Sequence, residues 1–466
     1  MEQTGLRHDP DTRGQAALQG TENVLPLREA IRRTQAHIAQ ECAGVLESRD
    51  RGLLLSYIRQ YVDREGFSAG GLPAQELAQR IYDEMCGFSV LAPYLDPGRT
   101  DIEEVNVNAY DDIWVTYADG RSLQAQETFF DADHAVDVTR RILHKSGTVF
   151  DESRPAVTGY LSGNIRVSAV GFRVAGREKG AVLSIRIVNP RKLSLGQFVE
   201  NGTGTREMLL FLAAAYCYGV SVCLAGAAGS GKTTLMGYML GQVPDGRRLV
   251  TIEEGCRELD CVRRGQDGRP RNSAVHLLAG EPGDAGSGAT LTDLLRTALT
   301  IHPHYLAVAE MKGEESFLAI SAAYTGHTVA TTIHAGSCED IYWRMAALCR
   351  RRDPMEDATL LRLASRAFPL AVFCRQGQDG TRRVTQIAEC TGTEGLEPRM
   401  NTLWRFDTQD GGQEGDGSFR RVGTPSPRLV GKLRENGCPH GFLRYLSTAE
   451  PQGPPGAGRD LPEALC

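Results

Sequence analysis

The chain is 466 residues long, which at roughly 150 residues per domain provides for about three domains. With 41% apolar and 24% charged residues it sits near the globular average, which excludes a wholly disordered or fibrous chain. Lys and Arg number 52 against 58 Asp and Glu, and the net charge of −6 excludes a global attraction to nucleic acid or anionic lipid.

Residues 1–23 are polar and lack the apolar core of a secretory signal, so they read as a flexible leader of a cytosolic chain. A helical segment is predicted over 24–98. Its first helix runs through Leu27, Ile31, Ile38, Cys42 and Val45, a second covers Leu53 to Val62, and a third places Leu77, Ile81, Met85 and Phe88 on one face. Pro93 and Pro97 then punctuate the chain. Over 99–190 the apolar period becomes two, at Val105 and Val107, at Ile113, Val115 and Tyr117, at Ile165, Val167 and Ala169, and at Leu183, Ile185 and Ile187. This predicts a smaller α+β domain, with Asn189-Pro190 leading into a linker over 191–204.

From 205 to 408, helices alternate with short apolar runs, the pattern of an α/β domain with a parallel, doubly covered sheet. Candidate strands are Val220–Leu224, Leu249–Ile252, Tyr305–Ala309 and Thr328–Ile333, and Arg382–Ala388 with Thr402–Phe406 suggests a hairpin. Two uncharged stretches, Met208–Gly226 and Ser316–Ser337, approach bilayer length. Tyr216, Tyr218, Gly219 and Ser221 in the first, and His327 and His334 in the second, favour buried elements over a membrane span. Residues 409–466 read as a variable tail whose QDGGQEGDGS and EPQGPPGAGRD segments are rich in Gly and Pro and expected to be mobile. None of the twelve cysteines forms a Cys-x-x-Cys pair, and reduced thiols are expected.

The sharpest chemical signal is GAAGSGKT at 226–233, a full match to the phosphate-binding loop pattern. Glycine lets the backbone wrap closely enough for its N–H groups to face phosphate oxygens, and the helix that follows points its positive end at the same place. The candidate nucleotide-binding residues are Gly226, Ala227, Ala228, Gly229, Ser230, Gly231, Lys232, Thr233 and Thr234. Lys232 can reach the β- and γ-phosphates of ATP, and the Thr233 hydroxyl can ligate Mg²⁺. In open α/β sheets ligands sit at the carboxyl ends of the strands. The residues after the candidate strands are Glu253 and Glu254, Glu310, and His334, so two acidic positions and a histidine join the loop at one edge.

These motifs in this order resemble the secretion ATPase superfamily that drives type II and type IV secretion and pilus assembly, and most closely the tight-adherence (Tad/Flp) pilus assembly ATPase. The likeness rests on the phosphate loop, TIEEGCREL at 251–259, YLAVAEMKGEE at 305–315 and TGHTVATTIHA at 325–335, with DESRPAV at 151–157, GNIRVSAV at 163–170 and LSIRI at 183–187 upstream. It implies a RecA-like ATPase domain preceded by a PAS-like amino-terminal domain. It further implies a homo-oligomeric ring, a hexamer, docked on an inner-membrane platform protein at the cytoplasmic face. By resemblance, Glu253 is the catalytic glutamate, Glu310 acts at Mg²⁺ and the water, His327 and His334 sense the γ-phosphate or link the site to a subunit interface, and Arg166 and Arg186 neutralise phosphoryl charge.

The chain departs from the family pattern at three places. His302-Pro303-His304 stands where Pro-Asp follows Arg or His, Ala309-Glu310-Met311-Lys312 where Gly-Glu-x-Arg is usual, and Glu254-Gly255 follows Glu253 where Asp is typical. Two readings remain open at this point, a hydrolysing motor of pilus assembly and a nucleotide-binding regulatory subunit with little turnover. A nucleic-acid translocase would want a basic channel. The one dense basic run, Arg263 to Arg271, is short and interrupted by Asp267, so no nucleic-acid partner is expected.

Overall fold

The computed structural model describes residues 23–41, 50–96, 98–162, 164–189, 192–280, 288–351, 355–408 and 417–448. The expectations for the leader before Asn23, for Cys42 and Val45, for Pro190, and for nearly all of the two Gly/Pro-rich segments lie outside these residues. The chain divides into two compact units. One comprises Met1–Ile142, Asp151–Pro155 and Val170–Leu183; the other comprises Leu143–Phe150, Ala156–Ala169 and Ser184–Cys466.

The first unit opens with strand β1 (Asn23–Leu25), helices α1 (Leu27–Glu41) and α2 (Arg51–Glu65), strand β2 (Phe67–Ala69) and helix α3 (Ala74–Met85). The predicted apolar stripes meet here: Ala30, Ile31 and Ile38 of α1 pack with Leu54, Ile58 and Val62 of α2 and with Leu77 and Ile81 of α3. Asp50 caps α2 by accepting from Leu53 N, and Gly66 closes it in the left-handed region. Strands β3 (Ile102–Ala109), β4 (Asp112–Tyr117) and β5 (Ser122–Gln124) follow in this unit; next in the chain come helix α4 (Ala132–Lys145), strand β6 (Ala156–Ser162), which belongs to the second unit, and strands β7 (Ile165–Gly171) and β8 (Ala181–Ile187), whose residues, like those of α4, are divided between the two. The six strands form a sheet in the order β5-β4-β3-β8-β7-β6. Alternation is clean where period two predicted it, with Ile165, Val167 and Ala169 buried and Arg166 exposed between them.

The second unit continues with α5 (Leu195–Glu200), α6 (Arg206–Cys217), β9 (Val222–Ala225), α7 (Lys232–Gly241), β10 (Leu249–Glu254), β11 (Ala274–Ala279), α8 (Leu291–Thr300), β12 (Tyr305–Val308), α9 (Glu315–Tyr324), β13 (Thr328–Ile333), α10 (Asp340–Arg350), α11 (Asp357–Ala367), β14 (Leu370–Gln376), β15 (Arg382–Glu394), β16 (Glu397–Thr408), β17 (Gly417–Arg421), α12 (Pro427–Glu435) and α13 (His440–Ser447). The architecture is α/β. Its nine-stranded sheet has the order β11-β10-β12-β13-β9-β14-β15-β16-β17. Every pairing from β11 through β14 is parallel, and those from β14 onward are antiparallel. The predicted hairpin is β15–β16, with Gln386 opposite Arg405.

Strands buried on both faces explain the continuous apolar runs. Val222, Leu224, Leu249, Ala307, Ala330 and Val372 face one core cluster, and Cys223, Val250, Ile252, Leu306, Val308 and Val329 face the other. The apolar stretch before the loop is the fully buried α6, from Met208 to Cys217, with Thr205 as its side-chain cap, followed by β9. No helix among the described residues is long and apolar enough to cross a membrane.

Ordered elements continue past residue 408, where a variable tail was expected. Strand β17 pairs with β16, and α12 and α13 bury Leu429, Leu433, Phe442 and Leu446 in the same core as Trp404. The buried Glu389 anchors this part by accepting from Ser426 N at 2.8 Å and from the Ser426 hydroxyl, at the cap of α12.

Candidate active site

The loop after β9 is shaped by what surrounds it. Gly226 has φ 146°, and a Cβ there would lie 2.1 Å from the carbonyl oxygen of Cys374 at the end of β14, so only glycine fits. The buried Ser230 hydroxyl donates to Ala227 O at 2.8 Å and draws the loop into a ring. Inside that ring Lys232, only 7% exposed, donates from Nζ to Gly226 O at 2.9 Å and to Ala227 O at 2.7 Å. Burial lowers its pKa. Ala227, Ala228 and Gly229 are exposed, so the ring opens to solvent, and Thr233 and Thr234 stand half-buried in the first turn of α7.

Two further strands bring their ends to this ring. Ile333 of β13 pairs with Ala225 of β9, which places His334 beside Gly226. His334 Nδ1 lies 3.1 Å from Gly226 O and Nε2 lies 3.1 Å from Glu310 Oε1, so the imidazole joins the loop to the carboxylate after β12. Lys232, Glu310 and His334 therefore converge on one loop carbonyl and its neighbours. Hydroxyl and carboxylate oxygens are the donors Mg²⁺ takes, and a lysine held by loop carbonyls beneath an open ring suits a polyphosphate. Thr233, Glu310 and Lys232 thus fit Mg²⁺ and ATP.

Strand β10 runs two residues longer than predicted and carries Glu253 within it. Glu253 is 2% exposed. Its Oε1 accepts from Glu258 N at 2.7 Å and Leu259 N at 2.9 Å, while Oε2 is buried without a hydrogen-bond partner among the described residues. Burial raises this carboxyl to about 7, against the lowering effect of the two backbone N–H groups. The segment that follows is tightly held. His276 of β11 lies 2.7 Å from the Thr251 hydroxyl through Nδ1 and accepts from Cys261 N at 3.3 Å, Asn272 bonds Arg263 N and Cys261 O, and Lys192 pairs with Asp260 at 2.8 Å. At Gly255, φ is 77° and a Cβ would meet the Tyr160 hydroxyl at 2.3 Å.

Arg166 and Arg186 are both exposed, on β7 and β8. Both act electrostatically on the Cys256 thiol, which burial lifts to about 11 and the two arginines lower. Arg186 also lies 3.8 Å from Glu258. Glu258 is a residue the sequence reading passed over, although it stands inside TIEEGCREL. It faces Arg186, and its charge reaches both Lys232 and Glu253.

Two of the departures from the family pattern touch each other: Lys312 forms an ion pair with Glu254. Glu315, at the start of α9, accepts from Lys312 N at 2.8 Å and Gly313 N at 2.7 Å and shapes that turn. The third departure lies elsewhere. His304 precedes β12, and its Nδ1 accepts from Arg248 N at 3.0 Å, a role open to any short side-chain acceptor.

His327 lies apart from this chain's own loop. It precedes β13, so it stands at the amino edge of the parallel strands, about 20 Å along the strand from His334. Its backbone N–H bonds Ala322 O at 3.0 Å, and its ring Nδ1 is buried without a hydrogen-bond partner among the described residues. Part of the basic run 263–271 is engaged within the fold. Arg263 pairs with Asp245 at 2.6 Å and bonds Gly241 O, and Arg271 lies 3.6 Å from the same aspartate.

A family model described as Type II/IV secretion system protein matches residues 101–402. A Mycobacterium tuberculosis protein named for conjugal transfer is 29% identical over 338 residues, covering 70% of this chain and 91% of its own length. The type IV secretion system protein PtlH of Bordetella pertussis is 29% identical over 330 residues, covering 64% and 93%. VirB11 of Brucella suis is 26% identical over 340 residues, covering 67% and 91%. Among solved structures, the VirB11 ATPase from the Brucella suis type IV secretion system shares 24% identity over 64% of this chain and 94% of its own, with a TM-score of 0.33. The pilus retraction motor PilT with bound ADP shares 18% over 63% and 80%, with a TM-score of 0.43.

Proposed function

The chain belongs to the type II/IV secretion system protein family and is an ATPase by that membership, and on this footing we propose that it is a motor that couples Mg-ATP hydrolysis to pilin assembly or export. The observation that carries the reading is the convergence of Lys232 and His334 on Gly226 O, with Glu310 on the other nitrogen of the His334 ring, at the carboxyl edge of a parallel sheet. Lys232 leaves its loop carbonyls for the β- and γ-phosphates, and the loop N–H groups and the start of α7 complete the cradle. Thr233 and Glu310 offer oxygens to Mg²⁺, which when bound neutralises charge on the phosphates. Glu253 supports the role of general base: Oε1 is anchored by two backbone N–H groups, and Oε2 is left to orient the attacking water and take its proton. Water oxygen then bonds to the γ-phosphorus as its bond to the bridging oxygen breaks. Arg166 and Arg186 supply positive charge for the developing phosphoryl charge.

In this reading the nine-stranded sheet and its helices form a RecA-like core, and residues 99–190 form the PAS-like domain. The working assembly is a homo-oligomeric ring, a hexamer, at the cytoplasmic face of the membrane on a platform protein. The test is Mg-ATP turnover of the purified full chain beside Lys232→Ala and Glu253→Gln. Turnover in the parent that drops by about 10²-fold or more in both variants supports the motor. ATP binding with no turnover above background in any of the three points instead to a regulatory subunit.

A further inference from the structure

The hairpin between β14 and β15 forms one wall of the phosphate loop, and no motif announces it. Its first strand supplies the Cys374 carbonyl that excludes a side chain at Gly226. Its second strand begins with Arg382, whose Nε donates to Gly229 O at 2.8 Å. The Arg382 stem lies against Gly231, with its Cβ and Cδ 3.5 and 3.4 Å from where a Cβ of that glycine would be. About 150 residues of chain separate the two partners, so the contact is wholly tertiary.

The tip that carries Arg382 is rigid. Gly377 N bonds Thr381 O at 2.9 Å, Gly380 N bonds Gly377 O at 3.0 Å, and Thr381 N bonds Asp379 at 3.0 Å. Arg383 closes the turn on Asp379 at 2.6 Å, and its guanidinium lies over the Phe406 ring. Val384 N bonds Thr203 O at 2.8 Å, which pins the base of the hairpin to the segment before α6. Arg382 is thus held in place before any ligand arrives, so little ordering cost falls on binding.

Among the described residues, Arg382 is engaged through Nε alone. Its two Nη groups have no hydrogen-bond partner among the described residues, and the side chain is exposed at the open side of the ring. A planar guanidinium fork matches phosphate oxygens and keeps its charge at any working pH. We infer that Arg382 is a further nucleotide-binding residue, tethered through Nε to the loop and presenting its Nη groups to the polyphosphate held there. The inference rests on the ATPase reading of the loop and names one residue of its binding surface. Lys232 serves the phosphates from beneath the ring and Arg382 from its rim.

The experiment is calorimetric titration of the full chain with Mg-ATP and, separately, with inorganic tripolyphosphate. Parent, Arg382→Ala, Arg382→Gln and Lys232→Ala are compared, with the thermal midpoint of each ligand-free protein as a check on folding. A charged hydrogen-bonding group predicts that Arg382→Ala weakens both ligands by about tenfold or more, with an unchanged midpoint. Arg382→Gln keeps an N–H for Gly229 O but no charge, and is expected to lose as much, with a shallower salt dependence than the parent. Parent-like affinity in Arg382→Gln alongside a weakened Arg382→Ala would reduce the arginine to a tether and overturn the inference. Affinity within twofold of the parent in Arg382→Ala, while Lys232→Ala fails to bind, also overturns it and leaves the nucleotide reading intact. Failure of the parent itself to bind either ligand would bring down the nucleotide reading first.

Discussion

At the carboxyl ends of β9 and β13, Lys232 and His334 share one carbonyl, Gly226 O, and His334 reaches on to Glu310. At the amino ends of the neighbouring strands, polar side chains are differently employed. The Tyr305 hydroxyl donates to Cys217 O at 2.5 Å, that of Tyr216 to Leu306 O at 3.1 Å, the Ser221 hydroxyl accepts from Val329 N at 3.0 Å, and His304 accepts from Arg248 N. Each bond at the amino edge ties one element to the next and so fixes how the strands lie together. The bonds at the carboxyl edge join Lys232 and His334 to a loop carbonyl and His334 to Glu310, and a ligand can replace them. A functional edge and a structural edge use the same residue types, and the difference lies in whether the partner is fixed backbone within the fold or a group at an open rim.

The largest effect that would sharpen this contrast is at Glu253. Its carboxyl titrates at about 7 because it is buried, and a general base works only when deprotonated. Turnover is therefore expected to climb with pH through about 7, and Glu253→Gln to remove that limb together with about 10²-fold or more of the rate, while ATP affinity is kept. A pH profile of the variant that retains the limb would assign it to another group. The same shift bears on stability with the opposite sense. Between the usual 4.5 and about 7 the folded state holds a proton that the unfolded chain has lost, so this group's contribution is full below 4.5 and lost as pH rises through about 7. Chemical denaturation across that window, parent against Glu253→Gln, measures it.

A smaller loss is expected at His334. Alanine there removes the link between Gly226 and Glu310, and turnover should fall by about tenfold, the cost of a charge-assisted hydrogen bond, while the thermal midpoint holds. If the amino edge is structural, His304→Ala should cost about 1 kcal/mol of stability by urea denaturation, with turnover per folded molecule unchanged. His304→Asp, which keeps an acceptor for Arg248 N, should restore it. The smallest effect is expected at His327, where alanine should leave the affinity for ATP within twofold; a clear loss there would break the division between the two edges.

Much of this was legible locally. The phosphate loop announces itself by glycine spacing, the period-two runs predicted strands of the six-stranded sheet, and the short apolar runs predicted the central parallel strands of the nine-stranded one. The rule that ligands gather at strand carboxyl ends led to Glu253, Glu310 and His334 because each follows or closes an apolar run. The same rule, applied strictly, would have set His327 apart, since it precedes its strand; only the family likeness drew it to the nucleotide. Glu258 was within a quoted motif yet has no strand-end position, and its importance rests on what lies across from it, Arg186 and the field of Lys232. The carboxyl-terminal part read as a tail because its composition is polar and interrupted, but α12 and α13 present apolar residues at helical spacing, and that pattern was sufficient to predict burial.

The sequence by itself determined the local devices: the glycines that permit the loop, the lysine and threonine that follow, the caps that start α2 and α6, and the apolar runs that demand two covered faces. These depend on backbone conformation and on residues within a few positions of one another, which a chain carries in its own order. Only the tertiary structure decided that Cys374 O closes on Gly226, that Glu254 meets Lys312, and that Arg382 lies on the rim of the loop. Those contacts depend on which strands lie side by side. That order follows from burying two apolar faces of nine strands at once, which no single segment specifies.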